Sequence, residues 1–173
     1  AGMTWLDAIM HMFSTMGLGG FSSHDASFGF FDSPAIELVS IVFMLIAGCN
    51  FATHYLVLSG RSLRPYVTDP EAGAFLLVTL GSVVGIAIFL DVHEVYPAFS
   101  EALRYSAFNV VSIATTTGYA NTDYALWPMF APLWMLFLSS FATSAGSTGG
   151  GIKMIRAIVL YKQVYRELTR AMH

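Results

Sequence analysis

Charge is scarce in this 173-residue chain: 11% of its residues are Asp, Glu, Lys or Arg, against 55% that are hydrophobic. A soluble domain needs about a quarter of its residues charged to keep its surface wetted, so an ordinary water-exposed globule is excluded. Cysteine is nearly missing as well. Cys49 stands alone inside an apolar run, which rules out a disulfide framework or a cysteine-based metal site within the chain and leaves it the part of a small buried residue. The histidines, at His11, His24, His54, His93 and His173, show no metal-ligand spacing. Paired acids and a nucleophile–base set are also missing, so the reading is not an enzyme, needs no organic cofactor and includes no nucleic-acid partner. The opening Ala1-Gly-Met-Thr-Trp5 lacks the basic stretch and short apolar core of a signal peptide. With no initiator methionine, the chain reads as part of a longer protein.

What is present is apolar length. Mean hydropathy is +0.63, and three stretches reach the roughly 20 residues that a bilayer-crossing helix needs. They cover residues 34–58, 72–90 and 127–143. The third breaks at residues 144–151 and resumes as a basic amphipathic tail. Gly81 and Gly85 in the second have the small-xxx-small spacing that lets helices approach closely. Two shorter helical segments, at 4–13 and 100–113, each end at a Thr/Gly cluster, as a re-entrant helix followed by non-helical backbone would. Such backbone survives at membrane depth only where protein or water covers it.

Charge sets the orientation. Arg61 and Arg64 sit between the first two spans, and Lys153, Arg156, Lys162, Arg166 and Arg170 follow the break. Asp7, Asp25, Asp32, Glu37, Asp91, Glu94, Glu101 and Asp123 fall on the other side. The positive-inside rule places the basic tail in the cytoplasm and makes both short helices enter from outside, below an acidic vestibule that concentrates cations. Arg104 is the exception, and Glu101 three residues earlier is its expected partner. Trp5, Trp127, Trp134, Tyr96 and Tyr124 fit an interfacial aromatic belt. His11, on the first short helix, is a candidate reporter of external pH. Asn50 fits a hydrogen bond between helices, and Asn121 and Asp123 fit either cation attraction or a turn.

The two clusters look like copies. Thr15-Met-Gly-Leu-Gly19 aligns with Thr116-Thr-Gly-Tyr-Ala120 at a constant separation of 101 positions, and both read T-x-G-x-small. A dehydrated monovalent cation needs oxygens in place of its water shell, and extended backbone carbonyls can supply them. Glycine permits the backbone angles required. A short helix also aims the negative end of its dipole, about half a charge, at the space beneath. Candidate ion ligands are therefore Thr15, Met16, Gly17 and Leu18 in one copy and Thr116, Thr117, Gly118 and Tyr119 in the other.

Ser14-Thr-Met-Gly-Leu-Gly-Gly-Phe-Ser22, Ala114-Thr-Thr-Thr-Gly-Tyr-Ala-Asn-Thr-Asp123 and Ser144-Ala-Gly-Ser-Thr-Gly-Gly-Gly-Ile-Lys153 together resemble the Trk/Ktr/HKT superfamily of potassium and sodium transporters. The likeness is greatest to the membrane subunit of its bacterial Trk branch. The resemblance implies an all-α membrane protein of span–pore helix–filter–span repeats, four to a full chain. Residues 1–60 would be the pore helix, filter and second span of one repeat, and 61–173 the complete next repeat. It also implies potassium uptake across a bacterial cytoplasmic membrane and K+ held at the filter. Implied partners are membrane lipid, the missing repeats of the same chain, a homodimer mate and a cytoplasmic nucleotide-binding regulatory subunit. In that family glycine at the key filter position goes with potassium and serine with sodium permeation.

The break at Gly146, Ser147, Thr148, Gly149, Gly150 and Gly151 reads as a gate below the filter, and the resemblance implies the same. A phosphate-binding loop is rejected, because Gly151-Ile-Lys153-Met154 lacks the adjacent Gly-Lys-Ser/Thr. The alternative to a gated filter is an alternating-access symporter, proton- or sodium-coupled, with the broken helix as its substrate site.

Overall fold

The computed structural model describes residues 2–172; Ala1 and His173, each at the outer end of an expected repeat, lie outside the described residues. Everything regular among the described residues is helical. Helix α1 spans Trp5–Met16, started by the Thr4 side chain accepting from the Asp7 N–H. A polar connection with a 3-10 turn at Ser27–Phe30 leads to α2, Pro34–Gly48, which carries proline in its first turn. Then come α3, Phe51–Gly60, and the short α4, Arg64–Thr68. Helix α5, Pro70–Val92, is capped by Asp69, whose carboxylate accepts from the N–H groups of Glu71 and Ala72. Helix α6 runs over Phe99–Ala114, and a 3-10 turn at Tyr124–Leu126 precedes α7, Phe130–Ser139. Helix α8 is Met154–Ala171.

Helix α6 is the hub, packed against α5, α2 and α7. Its residues Ala102, Ser106, Phe108, Asn109, Val110, Val111, Ser112 and Ala114 are all fully buried. Around them Phe28, Met44, Phe75 and Tyr119 are also sealed from solvent. The outward faces of α2, α5 and α7 remain apolar and bare, with Leu38, Val39, Leu77 and Leu136 each more than half exposed. That inversion suits lipid contact.

Among the described residues, only α5 is a single helix long and apolar enough to cross a membrane; its 23 residues extend roughly 35 Å. The expected span over 34–58 is broken instead. Helices α2 and α3 meet at an angle of 97°, because Cys49 and Asn50 leave helical geometry and the Asn50 side chain caps α3 by accepting from the Ala52 N–H. Asn50 is therefore a cap, not a bond between helices. The third span is shorter than expected, with only Phe130–Ser139 helical before the chain unwinds. Among the described residues no helix is seated on Gly81 or Gly85. Methyl groups added there would meet nothing within 4 Å, and both line an open groove between α5 and α7 floored by Phe130, Trp134 and Phe141.

Arg104 also departs from expectation. It reaches across to the start of α2, where Nε donates to Glu37 at 2.9 Å and Nη2 donates at 2.7 Å to the other Glu37 oxygen and at 2.8 Å to Asp32. Glu37 is 3% exposed, so a forked guanidinium is the partner its buried carboxylate needs. Removing one member of such a pair strands the other charge. Arg104→Ala should lower stability by about 3 kcal/mol, read by thermal unfolding of the detergent-solubilised full-length protein. Arg104→Ala combined with Glu37→Leu should recover much of that loss.

Candidate functional site

The ends of α1 and α6 are built alike, at a separation of 98 positions instead of 101. The Gly17 N–H donates to Phe13, that of Leu18 to Thr15, and that of Gly19 to Ser14; the N–H groups of Thr115, Thr116 and Thr117 donate to Val111, Ile113 and Ser112. Leu18 and Thr116 then take left-handed backbone, at φ 50° and 62°. Two residues on, Gly20 and Gly118 do so again, at 70° and 88°. Only glycine enters that region freely. Gly17, the residue matched to Gly118 by its letters, has an ordinary helical φ of −79°. Thr15 and Met16 lie in the last turn of α1, still helical. The matched letters T-x-G therefore occupy different places in the two copies.

The consequence is a pair of walls. The N–H groups fold back onto their own helices, and no backbone hydrogen bond among the described residues ends on the carbonyls of residues 17–20 or 115–118. The walls touch. A methyl group on Gly20 would run into the Thr117 carbonyl and lie 3.3 Å from the carbonyl carbon of Gly118. Beyond the contact, the Gly29 N–H donates to the Ala120 carbonyl at 3.3 Å and the Ala120 N–H to Ser27 Oγ at 3.3 Å.

Side chains brace the walls from behind. Ser112 Oγ donates to the Tyr119 carbonyl at 2.7 Å, turning that oxygen into the protein. The buried Tyr119 hydroxyl sits 3.4 Å from the Phe21 carbonyl and 3.5 Å from that of His11. His11, 3% exposed, bonds through Nδ1 to the Asp7 carbonyl at 2.8 Å. Its Nε2 lies 3.0 Å from Ser22 Oγ. Asn121 accepts from Asn109 and Asp123 caps the turn at Tyr124–Leu126, so both hold loops.

Below the walls lies the unwound stretch after α7. The Gly150 N–H donates to Thr116 Oγ1 at 2.7 Å, and Thr148 Oγ1 donates to the Met16 carbonyl at 3.0 Å, so this one loop reaches the feet of both walls. Methyl groups on Gly149 and Gly150 would lie 3.0 Å from the Thr115 carbonyl and 3.5 Å from Thr116 Oγ1. The break between α2 and α3 receives the loop from the side. There the Ser144 N–H donates to the Gly48 carbonyl at 3.0 Å, and the Phe51 N–H to the Gly146 carbonyl at 3.2 Å. Lys153 turns inward and donates to the Gly149 carbonyl, with Ser147 Oγ at 3.4 Å. Glu71, 6% exposed, accepts through one oxygen from the N–H groups of Ala145 at 2.6 Å and Ile155 at 3.0 Å. Sequence reasoning missed this carboxylate, which stands in the first turn of a span like any acid there.

A family model described as "TrkH: Cation transport protein" matches residues 2–173. The chain belongs to the TrkH family. Among TrkH-family proteins it is 47% identical, over 173 residues, to the Trk system potassium uptake protein TrkH of Salmonella typhimurium, covering all of this chain and 36% of that protein. It is 46% identical to TrkH of Escherichia coli K12, again covering 100% and 36%. The crystal structure of the potassium transporter TrkH from Vibrio parahaemolyticus superimposes with a TM-score of 0.95 at 44% identity, over 99% of this chain and 37% of that one. The TrkH-family segment thus spans about a third of the length of the curated relatives it matches.

Asp7 ties the N-terminal end of α1 in this TrkH-family chain to the loop after Ser22. The hydroxyls of Ser23 and Thr4 donate to it, each at 2.6 Å, with His24 Nε2 at 3.3 Å. These donors hold its carboxyl down from 3.8 to about 2. A lowered folded value means that the stabilisation is complete above about pH 4 and drains away as pH falls through about 2. Melting temperatures should therefore separate parent from Asp7→Asn most at pH 6, and the gap should narrow on acidification toward pH 3. A gap independent of pH would contradict this account.

Proposed function

We propose that this chain supplies two of the walls of a potassium-selective filter, together with the loop that gates it, in a multi-pass uptake protein of the bacterial cytoplasmic membrane. What carries the reading is the pair of helix ends whose unbonded carbonyls meet over a glycine-rich loop. Carbonyls freed in this way can replace the hydration water of a potassium ion. Helices α1 and α6 re-enter from outside and point their negative ends inward, and Arg61, Arg64 and α8 face the cytoplasm by the positive-inside rule. Residues 1–60 and 61–173 are then successive repeats. The first begins at its pore helix, and the remaining walls come from outside this segment. A homodimer mate and a cytoplasmic nucleotide-binding subunit are the expected partners.

The backbone equivalence moves the first wall along the chain. Its ion ligands are the carbonyls of Leu18, Gly19 and Gly20, opposite those of Thr116, Thr117 and Gly118. Thr15 and Met16 form the foot of the wall, where the loop attaches. The family's potassium-type glycines are then Gly20 and Gly118, both at positive φ. Gly146, Ser147, Thr148, Gly149, Gly150 and Gly151 form the gate, closed by the bonds to Met16 and Thr116.

Serine scanning of the full-length protein, reconstituted in liposomes, tests the filter and its register together. Gly20→Ser and Gly118→Ser should each lower the potassium-over-sodium flux ratio about tenfold, the equivalent of about 1.4 kcal/mol, whereas Gly17→Ser should leave it near the parent value. An unchanged ratio in the first two would remove the filter assignment; a large change in Gly17→Ser would restore the 101-position register. Deleting residues 149–151 should raise flux in the absence of any regulator, and unchanged flux would make the loop a plain kink.

A further inference from the structure

Glu71 is buried, charged and shared between two places far apart in the sequence. One carboxylate oxygen accepts from the Ala145 N–H at 2.6 Å and from the Ile155 N–H at 3.0 Å. Those two donors flank residues 146–153, the stretch that carries every contact to the walls above. The first lies six residues beyond the end of α7, and the second lies in the first turn of α8. Two residues before Glu71, Asp69 caps α5 and takes a 2.8 Å hydrogen bond from Thr53 of α3, so the carboxylate stands on an anchored base. Charge-assisted bonds to backbone N–H groups are about twice as strong as neutral ones, and stranding a donor away from water adds the cost of its desolvation.

We infer that Glu71 is the positioning residue that keeps the loop shut, a clasp pinning both of its ends to α5. The inference rests on the gate reading. Helix α8 is exposed along nearly its whole length and runs directly out of the clasp. A pull on α8 withdraws the Ile155 N–H first, leaving Ala145 as the one backbone donor still bonded to Glu71. The loop then lifts from Thr116 and Met16 as a unit hinged at Ala145. Loop opening thereby begins with the loss of one charge-assisted bond at the α8 side, and the backbone bonds from Ile152 to Ser140 and from Met154 to Thr143 part with it.

The native chain carries its own reporter. Cys49 is 5% exposed and lies between Gly48 and Phe51, whose backbones hold Ser144 and Gly146. A lifted loop frees the backbone on either side of this thiol, and the thiol's accessibility is the readout. The test uses the full-length protein with Cys49 as its only cysteine, comparing Glu71→Ala, Glu71→Gln and the deletion of residues 149–151. Basal rubidium flux per folded molecule and the rate of Cys49 alkylation are measured without any regulatory partner.

Glu71→Ala should raise both quantities about tenfold or more. Glu71→Gln, which keeps an acceptor oxygen but loses the charge, should fall between Glu71→Ala and the parent. The melting temperature of Glu71→Gln should stay within a few degrees of the parent. A merely structural carboxylate would instead lower the melting temperature and leave the flux of the folded fraction unchanged. Should Glu71→Ala fail to fold, Glu71→Gln alone decides: parent-like flux and alkylation overturn the clasp. Raised flux in the deletion beside parent-like Glu71 variants overturns the clasp and leaves the gate standing. Parent-like flux in the deletion overturns the gate, and the clasp with it.

Discussion

Every residue but proline brings one backbone N–H and one C=O, and at membrane depth each must find a partner or a reason to go without. Here the two are separated in space. At the ends of α1 and α6 the donors turn back to Ser14 and Ser112 and are spent there, while the acceptors of the next few residues take no backbone partner among the described residues. Left-handed backbone at Leu18 and Thr116, and again at Gly20 and Gly118, performs the separation. The rest of the fold supports that arrangement. The C-terminal half of α6 is buried, the Arg104–Glu37 fork fixes α6 against α2, and Ser112 bonds the Tyr119 carbonyl.

The chain's unwound segments satisfy one another. The break at Cys49–Asn50 and the longer one after Ser139 lie side by side. Carbonyls left open by the end of α2, at Ala47 and Gly48, take N–H groups from Thr148 and Ser144. Neither break would be tolerable alone. Glu71 and Lys153 add one charge of each sign to the same junction, each bonded to backbone. An unwound stretch can therefore be buried with its backbone bonded to another unwound stretch.

Sequence reading served well where local signals and tertiary demands agreed. Helix α5 was legible because Asp69-Pro70-Glu71 starts it, its run is uninterrupted, and it meets the required length. The two short helices and the glycine-rich break stood out for the same reason. The bend after Gly48 did not, since an apolar run hides a break whose cause is a distant loop docking against it. The wall register failed because the letters T-x-G repeat at 101 positions while backbone angles repeat at 98. The better signal was Gly20-Phe21-Ser22 against Gly118-Tyr119-Ala120, a glycine followed by an aromatic and a small residue. Arg104 found Glu37, 67 positions away, because burial rewards the forked partner more than the nearby exposed Glu101.

The distance between the two walls has a gauge. Tyr119 grows from one wall, is buried along its whole length, and ends with its hydroxyl against the Phe21 and His11 carbonyls of the other. A phenol ring neither stretches nor bends, so the gap inherits the stiffness of an aromatic strut instead of the softness of a loop. Two strands of flexible main chain are thereby spaced like beams by a rigid tie.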